Sequence, residues 1–158
     1  MQKTQDEYQA KLKTPFAVLG IRHEGECLTR IDFLPLQTKT LAPRTRFAAK
    51  VCRYLEAYLR DPDTRFNLPT RLKGTPYQQR VWQAIQNIPR GRTLTYGEIA
   101  RKLISGPRAV GQACGANPIP VIVPCHRVLG SGHLGGFMNC DEGDPLAIKR
   151  WLLQHEQG

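Results

Sequence analysis

The feature that most constrains the fold is a series of three closely spaced helix starts in the middle of the chain. Thr75 is followed three positions later by Gln78, and Thr95 by Glu98. Both patterns are capping boxes, in which threonine and the third residue satisfy each other's backbone amides. A third helix opens at Gly106-Pro107, since proline favours the first helical position. Two short helices joined by a glycine turn predict a helix-turn-helix.

The residues before this series have the pattern of a small α/β unit. Residues 14–36 contain two apolar runs on either side of Glu24-Gly25-Glu26, which is typical of two strands joined by a turn. From 44 to 59 apolar residues recur with the helical period, and Asp61-Pro62 ends that helix. We also expect a short strand near residues 65–68.

The sequence therefore predicts two domains, with the boundary after residue 72. Residues 1–72 form an α/β domain with a small antiparallel sheet and a helix. Residues 73–158 form a mainly α-helical domain that contains the helix-turn-helix. The last helix is expected to run from Asp144-Pro145 to about His155, and the side chains predicted to be buried on it are Leu146, Ile148, Trp151, Leu152 and His155.

The net charge of +10 is concentrated in the segment that holds the helix-turn-helix. Residues 71–127 carry nine Lys and Arg against one acid, Glu98, whereas residues 1–70 carry twelve bases against eight acids. Such a segment indicates a polyanionic partner, most often nucleic acid. A basic surface that serves only solubility is the alternative.

Two further classes are disfavoured by the sequence. No apolar stretch approaches the length of a membrane span, and the polar start of the chain does not resemble a signal peptide, so we expect no membrane partner and a cytoplasmic or nucleoid-associated location. The five cysteines are odd in number and form no CxxC pair. Reduced thiols are therefore expected rather than a disulfide framework.

The second helix of the predicted motif consists almost entirely of small residues. Its sequence "PRAVGQACGAN" offers only Arg108 and Gln112 as long polar side chains. A helix that reads base edges in the major groove needs several such side chains. Small residues instead allow close approach to a backbone or a narrow groove with one arginine protruding. Tight packing against a neighbouring helix is the alternative.

Cys125 and His126 stand side by side after a proline at the end of an apolar run. A cysteine nucleophile must become a thiolate, and a histidine oriented by a carboxylate can take its proton. Beyond the start of the last helix, Glu156 is the only acid and therefore the candidate carboxylate. Adjacent side chains in an extended segment point in opposite directions, so a turn or a bridging water is required. An inert packing cysteine is the alternative, and with only His133 nearby a metal site is not expected.

The full stretch "NPIPVIVPCHRVLGSGHLGGF" closely resembles the active-site signature of the O6-alkylguanine-DNA alkyltransferases. The resemblance extends back through "GTPYQQRVWQAIQNIPRGRTLTYGEIA" and "RAVGQACGANP" and forward to "KRWLLQHE". It covers nearly all of residues 74–156. The N-terminal part is similar in pattern to the small, RNase H-like α/β domain of that family.

This resemblance implies direct reversal of DNA damage. A cysteine thiolate would displace the alkyl group from guanine O6, or from O4 of alkylthymine, and keep it as a thioether, so that each molecule reacts once. The residues implied for catalysis are Cys125 as acceptor, His126 and Glu156 as its activating network with a water, Asn117 as a brace and Tyr96 as proton donor. No cofactor and no metal are implied.

The partner implied is double-stranded alkylated DNA bound by a monomer through its minor groove. The target base would leave the duplex, and Arg108 would fill the vacated stack. The residues implied in DNA contacts are Arg108, Tyr96, Ala109, Gly111, Ala113, Thr75 and Ser131. Those implied in the substrate pocket are Val128, Phe137, Cys114 and Lys149, although Lys149 could also be an ordinary solvated surface residue.

The chain departs from the family pattern after Phe137, where "MNCDEGDPLAI" is longer and more acidic. This loop contains Asp141, Glu142 and Asp144. It also contains Cys140, which is either a second modifiable thiol or an exposed residue without a role. A damage sensor that binds alkylated DNA without reacting is the main alternative function, but Cys125 argues against it. A sequence-reading regulator and a cysteine hydrolase fit the residues less well.

Overall fold

Two units of different architecture follow one another along the chain, Met1–Leu72 and Lys73–Gly158. The structure is a computed structural model that describes residues 8–138 and 145–157. The expectations for Cys140 and for the acidic side chains of residues 141–144 therefore lie outside the described residues. Among the helices that the structure describes, none is long and apolar enough to cross a membrane.

The first unit is a three-stranded antiparallel sheet with one long helix. The strands pair in the order β1-β2-β3. Gly25 adopts φ 57° in the tight turn between the second and third strands, a conformation that favours glycine. The bounds are β1 Ala10–Lys13, β2 Val18–Glu24, β3 Cys27–Leu34 and α1 Arg46–Arg60.

The core of this unit lies between α1 and the sheet. Thr45 caps α1 by accepting a hydrogen bond from the amide of Ala48, and Asp61 ends the helix where it was predicted to end. Residues at the helical period turn inward from α1 and alternate residues turn inward from the strands. The buried apolar side chains include Leu19, Ile21, Leu28, Ile31, Val51, Leu55 and Tyr58.

The first unit differs from the prediction in two places. Residues 65–68 form no strand, and beyond them Thr70 forms an isolated bridge with Leu28 of the sheet. Pro69 precedes that bridge and has no amide proton to extend a ladder, so pairing remains a single bridge. Strand β1 was not predicted, because two lysines in its four residues hide the inward alternation of Ala10.

The second unit is mainly helical, and the predicted class of an α/β part followed by a helical part with a helix-turn-helix is confirmed. Its two short strands, Leu94–Thr95 and Val128–Leu129, pair in parallel. The bounds are α2 Pro76–Gln86, β4 Leu94–Thr95, α3 Tyr96–Leu103, α4 Pro107–Gly115, a 3-10 turn Cys125–Arg127, β5 Val128–Leu129 and α5 Pro145–Gln157.

Both predicted capping boxes form. Thr75 Oγ1 accepts from the amide of Gln78 at 3.1 Å, and Gln78 Oε1 accepts from the amide of Thr75 at 2.9 Å. Thr95 and Glu98 exchange the same two hydrogen bonds at the start of α3. Residues 104–106 then separate α3 from α4, which completes the helix-turn-helix.

The buried face of α2 holds this unit together. Trp82 lies at the centre, and its Nε1 donates a 2.8 Å hydrogen bond to the carbonyl of Ala113 on α4. Val81, Ile85 and Ile88 are buried as predicted. Tyr77, also predicted to be buried, is only half-buried because its hydroxyl lies 2.9 Å from Ser105 Oγ in the exposed turn.

The predicted buried face of α5 is largely wrong. Only Leu152 of the five expected side chains is fully buried; the others are half-buried. The positions that turn fully inward are instead Lys149, Leu152 and Glu156. Two charged residues occupy the interior because each finds several hydrogen-bonding partners there, which a search for apolar periodicity does not detect.

Candidate active site

Cys125 begins the 3-10 turn and is 2% exposed. Asn117, at the end of α4, donates from Nδ2 to Cys125 Sγ at 3.2 Å and to the carbonyl of Val123 at 2.8 Å. Its Oδ1 accepts from the amide of Ile119 at 2.9 Å. One buried amide side chain therefore closes the loop that carries the cysteine and places a hydrogen bond on the sulfur.

His126 is fully buried and pairs with Glu156 of α5. The 2.8 Å contact joins His126 Nε2 to Glu156 Oε2, and both side chains are at most 1% exposed. A carboxylate paired with arginine can only accept hydrogen bonds, so Nε2 carries the proton. Cys125 and His126 lie in a 3-10 turn and not in an extended segment, so their side chains need not point in opposite directions as the sequence suggested.

Arg127 belongs to the same network and was assigned no role from the sequence. It donates from Nε and Nη2 to the two carboxylate oxygens of Glu156 at 2.8 and 2.9 Å, and from Nη1 to the carbonyl of Ile88 at 2.6 Å. A buried carboxylate needs a compensating cation, and bidentate arginine supplies it. The sequence feature that could have identified Arg127 is its position directly after His126.

The second ring nitrogen of His126 is left for another partner. Nδ1 is buried and accepts no hydrogen bond from any residue that the structure describes. Burial lowers the pKa of His126, and the hydrogen bond to Glu156 only partly opposes this. The imidazole is therefore neutral near pH 7, with an unshared electron pair on Nδ1 that can take a proton.

Burial raises the pKa of the Cys125 thiol to about 11, although the Asn117 hydrogen bond and the charge of Lys149 both favour the thiolate. Because the pKa lies above neutrality, the sulfur carries its proton in the unliganded protein. Reaction at Cys125 therefore requires removal of that proton during the reaction, and a base is needed close by.

Lys149 is fully buried, and the alternative of a solvated surface lysine is wrong. Its Nζ donates to three carbonyl oxygens, those of Val128 at 2.7 Å and of Leu134 and Gly136 at 2.8 Å. Burial lowers its pKa to about 8, and the negative charges that Cys125 and Cys114 carry when they are ionised oppose this shift. The lysine therefore ties the loop of residues 128–136 to α5 and sets a positive charge near the cysteine.

A cavity of about 430 Å³ opens beside the thiol. Of the expected pocket residues, Phe137 and Cys114 line it, whereas Val128 and Lys149 are buried and are not among its lining residues. Met138, which the sequence did not single out, also lines it, and its Sδ lies 3.7 Å from Cys125 Sγ. The wall around the sulfur is thus mostly apolar, which suits an alkyl group.

Tyr96 forms another side of the cavity. As the first residue of α3 it is placed by the Thr95 cap, and its hydroxyl donates to the carbonyl of Gly136 at 3.2 Å. Burial raises its pKa to about 12. The phenol therefore keeps its proton at neutral pH and is able to donate it.

The residues expected to meet DNA are divided between the surface and the interior. Thr75, Arg108 and Ser131 are exposed, and Arg108 also lines the mouth of the cavity. Ala109 and Gly111 are half-buried on α4. Ala113 contradicts the expectation, since it is 2% exposed. Its side chain faces the interior, and its carbonyl accepts the Trp82 hydrogen bond from α2.

Metal ligation is not supported by the arrangement. Among the residues that the structure describes, no three His, Cys, Asp or Glu side chains are grouped as a metal site would require. The site therefore consists of a buried thiol, a neutral imidazole held by a buried ion pair, a phenol and an apolar cavity.

Comparison with known proteins agrees with this site. The family model for the DNA-binding domain of 6-O-methylguanine DNA methyltransferase matches residues 76–158. A methylated-DNA–protein-cysteine methyltransferase of Haemophilus influenzae is 38% identical over 163 residues, which cover 95% of this chain and 86% of that protein. The chain belongs to the methylated-DNA–protein-cysteine methyltransferase family.

Solved structures of the family share the fold. The O6-methylguanine methyltransferase of Mycobacterium tuberculosis superposes with a TM-score of 0.79 at 36% identity, covering 96% of this chain and 92% of that one. The Mycobacterium tuberculosis OGT in complex with DNA gives a TM-score of 0.75 at 38% identity, covering 93% and 91%. The similarity therefore includes both units of the chain.

Proposed function

We propose that this protein repairs double-stranded DNA by moving an alkyl group from guanine O6 to Cys125, once per molecule. The observation that carries the proposal is a buried thiol on the wall of an apolar cavity, beside a neutral histidine held by an ion pair. The relatives named methylated-DNA–protein-cysteine methyltransferases support the reaction class. The chemistry and the DNA contacts are assigned to residues 73–158.

Activation begins with the proton of Cys125. His126 Nδ1 takes this proton through a bridging water, because the neutral ring has its other nitrogen engaged with Glu156. The imidazolium that forms is stabilised by that carboxylate. Asn117 and Lys149 favour the thiolate from the other side. Together these groups oppose the burial that keeps the thiol protonated.

Transfer is a direct displacement at the alkyl carbon. The bond from Cys125 Sγ to carbon forms as the bond from carbon to O6 breaks, and the electron pair stays on guanine. Tyr96 gives its proton to the departing base, which lowers the barrier for a poor leaving group. The phenolate regains a proton from the imidazolium through solvent. The thiol proton thus ends on guanine, and the stable thioether ends the reaction.

The base must leave the helix to reach the cavity. Arg108, exposed at the start of α4 and at the mouth of the cavity, is placed to occupy the vacated stack. Ala109 and Gly111 are small enough for α4 to lie in the minor groove as a monomer binds. O4-alkylthymine presents the same alkyl–oxygen bond and is the second substrate to test.

The deciding experiment is the intact mass of the protein after incubation with duplex DNA that carries one O6-methylguanine. We expect a gain of one CH2 equivalent, mapped to Cys125 by peptide analysis and absent in Cys125→Ala. That variant should still bind the duplex. An unchanged mass of the wild type together with tight, lesion-selective binding would identify a damage sensor instead.

A further inference from the structure

Ile104 is an exposed apolar side chain in an unfavourable backbone conformation. It is 93% exposed, and its φ of 54° and ψ of 58° place it in the left-handed region. The hydrogen bonds from Ser105 N to Ala100 O and from Ile104 N to Arg101 O form a Schellman motif at the end of α3. Glycine is the usual residue at this position, because a β-branched side chain clashes with its own backbone there.

The turn around Ile104 is held from both sides. Arg80 of α2 donates from Nη2 to the carbonyl of Leu103 at 3.0 Å. Tyr77 of α2 contacts Ser105 through their hydroxyls at 2.9 Å. These contacts keep the strained residue in place and its side chain in solvent. A strained residue that a surrounding network maintains is a candidate for binding.

The charge around Ile104 selects the kind of partner. Arg101 and Lys102 in the last turn of α3 are exposed, and so is Arg108 four residues after Ile104. Thr75, an expected DNA contact, lies at the start of the same helix as Tyr77. An isolated apolar side chain surrounded by cations suits a nucleic acid, because the C–H surface of its sugars lies between charged phosphates.

We propose that Ile104 is an apolar contact of this protein with the DNA minor groove, where it lies against sugars and base edges beside the step that Arg108 enters. The proposal rests on the proposed function for the presence of DNA, and it adds a contact that carries no charge. The left-handed backbone serves to direct this side chain away from the protein. Glycine would relieve the strain but would remove the contact.

The test compares two substitutions at this position. Ile104→Asn tolerates the left-handed conformation but is polar, and Ile104→Leu remains apolar. We expect Ile104→Asn to bind a duplex with one O6-methylguanine about fivefold more weakly, since part of an aliphatic side chain is no longer buried. Ile104→Leu should stay within about twofold of the wild type. Thermal unfolding checks that both variants are folded.

Salt dependence separates this contact from the basic surface. The slope of log K against log salt should be unchanged in Ile104→Asn, because no phosphate contact is lost. The matched control Arg101→Gln should reduce the slope by about 1. A slope reduced equally in Ile104→Asn, wild-type affinity in Ile104→Asn, or equal losses in the Asn and Leu variants would each overturn the proposal.

Reaction with free O6-benzylguanine makes failure of this proposal distinguishable from failure of the proposed function. The free base needs no duplex contact, so Ile104→Asn should react with it at the wild-type rate. If the wild type reacts with neither the free base nor the duplex, the proposed function is wrong. If only the affinity of Ile104→Asn is unaltered, the proposed function stands and the role of Ile104 is wrong.

Discussion

Glu156 accepts a 2.8 Å hydrogen bond from His126 Nε2, and both of its carboxylate oxygens accept hydrogen bonds from Arg127, which follows the histidine directly in the chain. Glu156 lies on α5, whereas His126 and Arg127 lie in the 3-10 turn. Arg90 adds a 2.8 Å hydrogen bond to the backbone carbonyl of Glu156. The orientation of His126, the proposed proton acceptor, thus depends on the docking of α5.

Replacing Glu156 by Gln should impair both stability and reaction. The amide keeps the shape but leaves Arg127 as a half-buried cation without a counterion, and the amide NH2 of the glutamine then faces a donor of Arg127 or His126. We expect a loss of about 3 kcal/mol in the free energy of unfolding. Alkyl transfer from free O6-benzylguanine should slow by about tenfold or more, because the imidazolium loses its stabilising charge.

Chemical denaturation and single-turnover kinetics measure these two effects. Glu56→Gln is the matched control, since Glu56 is exposed on α1 and its loss should change neither quantity. A wild-type transfer rate in folded Glu156→Gln would remove Glu156 from the activating network.

The buried, neutral His126 should make stability fall in mild acid. Its pKa in the folded protein is lowered, whereas in the unfolded chain it is about 6.5. The unfolded state therefore binds the proton first, and stability present above about pH 6.5 is lost as the pH falls below it, by at most about 1.4 kcal/mol per pH unit. Denaturation at pH 5.5 and 7.5 measures the difference.

His126→Gln provides the control for this pH dependence. The glutamine does not titrate, so the drop in stability between pH 7.5 and 5.5 should be smaller in that variant than in the wild type. An equal drop would assign the acid sensitivity to other groups.

Much of the second unit could be predicted from its sequence, because helix starts are encoded locally. The Thr75 and Thr95 capping boxes depend on residues three apart, and both form. The interior of α5 could not be predicted in this way. Lys149 and Glu156 are buried because carbonyls and an arginine distant in sequence receive them, and hydrophobic periodicity gives no signal for such partners.

Small residues on α4 were ambiguous for a related physical reason. The sequence allowed both close DNA approach and helix packing, and a side chain without functional groups cannot decide between them. Ala113 is buried in the interior beside Trp82, which donates a hydrogen bond to its carbonyl. Ala109 and Gly111 stay nearer the surface. The position of Trp82 in three dimensions distinguishes the buried Ala113 from Ala109 and Gly111, and the sequence does not give that position.

The thiol of Cys125 should react faster with a small electrophile as the pH rises. With a pKa of about 11, the thiolate fraction increases about tenfold per pH unit between pH 7 and 10. Iodoacetamide labelling of the native protein, followed by peptide mapping, should show this increase at Cys125. A rate that is level above pH 7 would mean that the thiolate already predominates at neutrality.

Removing the Arg108 side chain should slow alkyl transfer from duplex DNA but not from a free base. If its side chain occupies the space of the extruded nucleotide, Arg108→Ala must leave that space unfilled, and repair of O6-methylguanine in a duplex should slow by about tenfold, which corresponds to about 1.4 kcal/mol. Reaction with free O6-benzylguanine should be unchanged, because that substrate enters the cavity without leaving a stack. Arg101→Ala is the matched control: it also removes one exposed cation of the helix-turn-helix, but Arg101 does not line the cavity mouth. Both variants should therefore lose a similar share of salt-dependent affinity, while only Arg108→Ala should lose repair at saturating duplex concentration. Equal repair by the two variants at saturation would reduce Arg108 to one more phosphate contact.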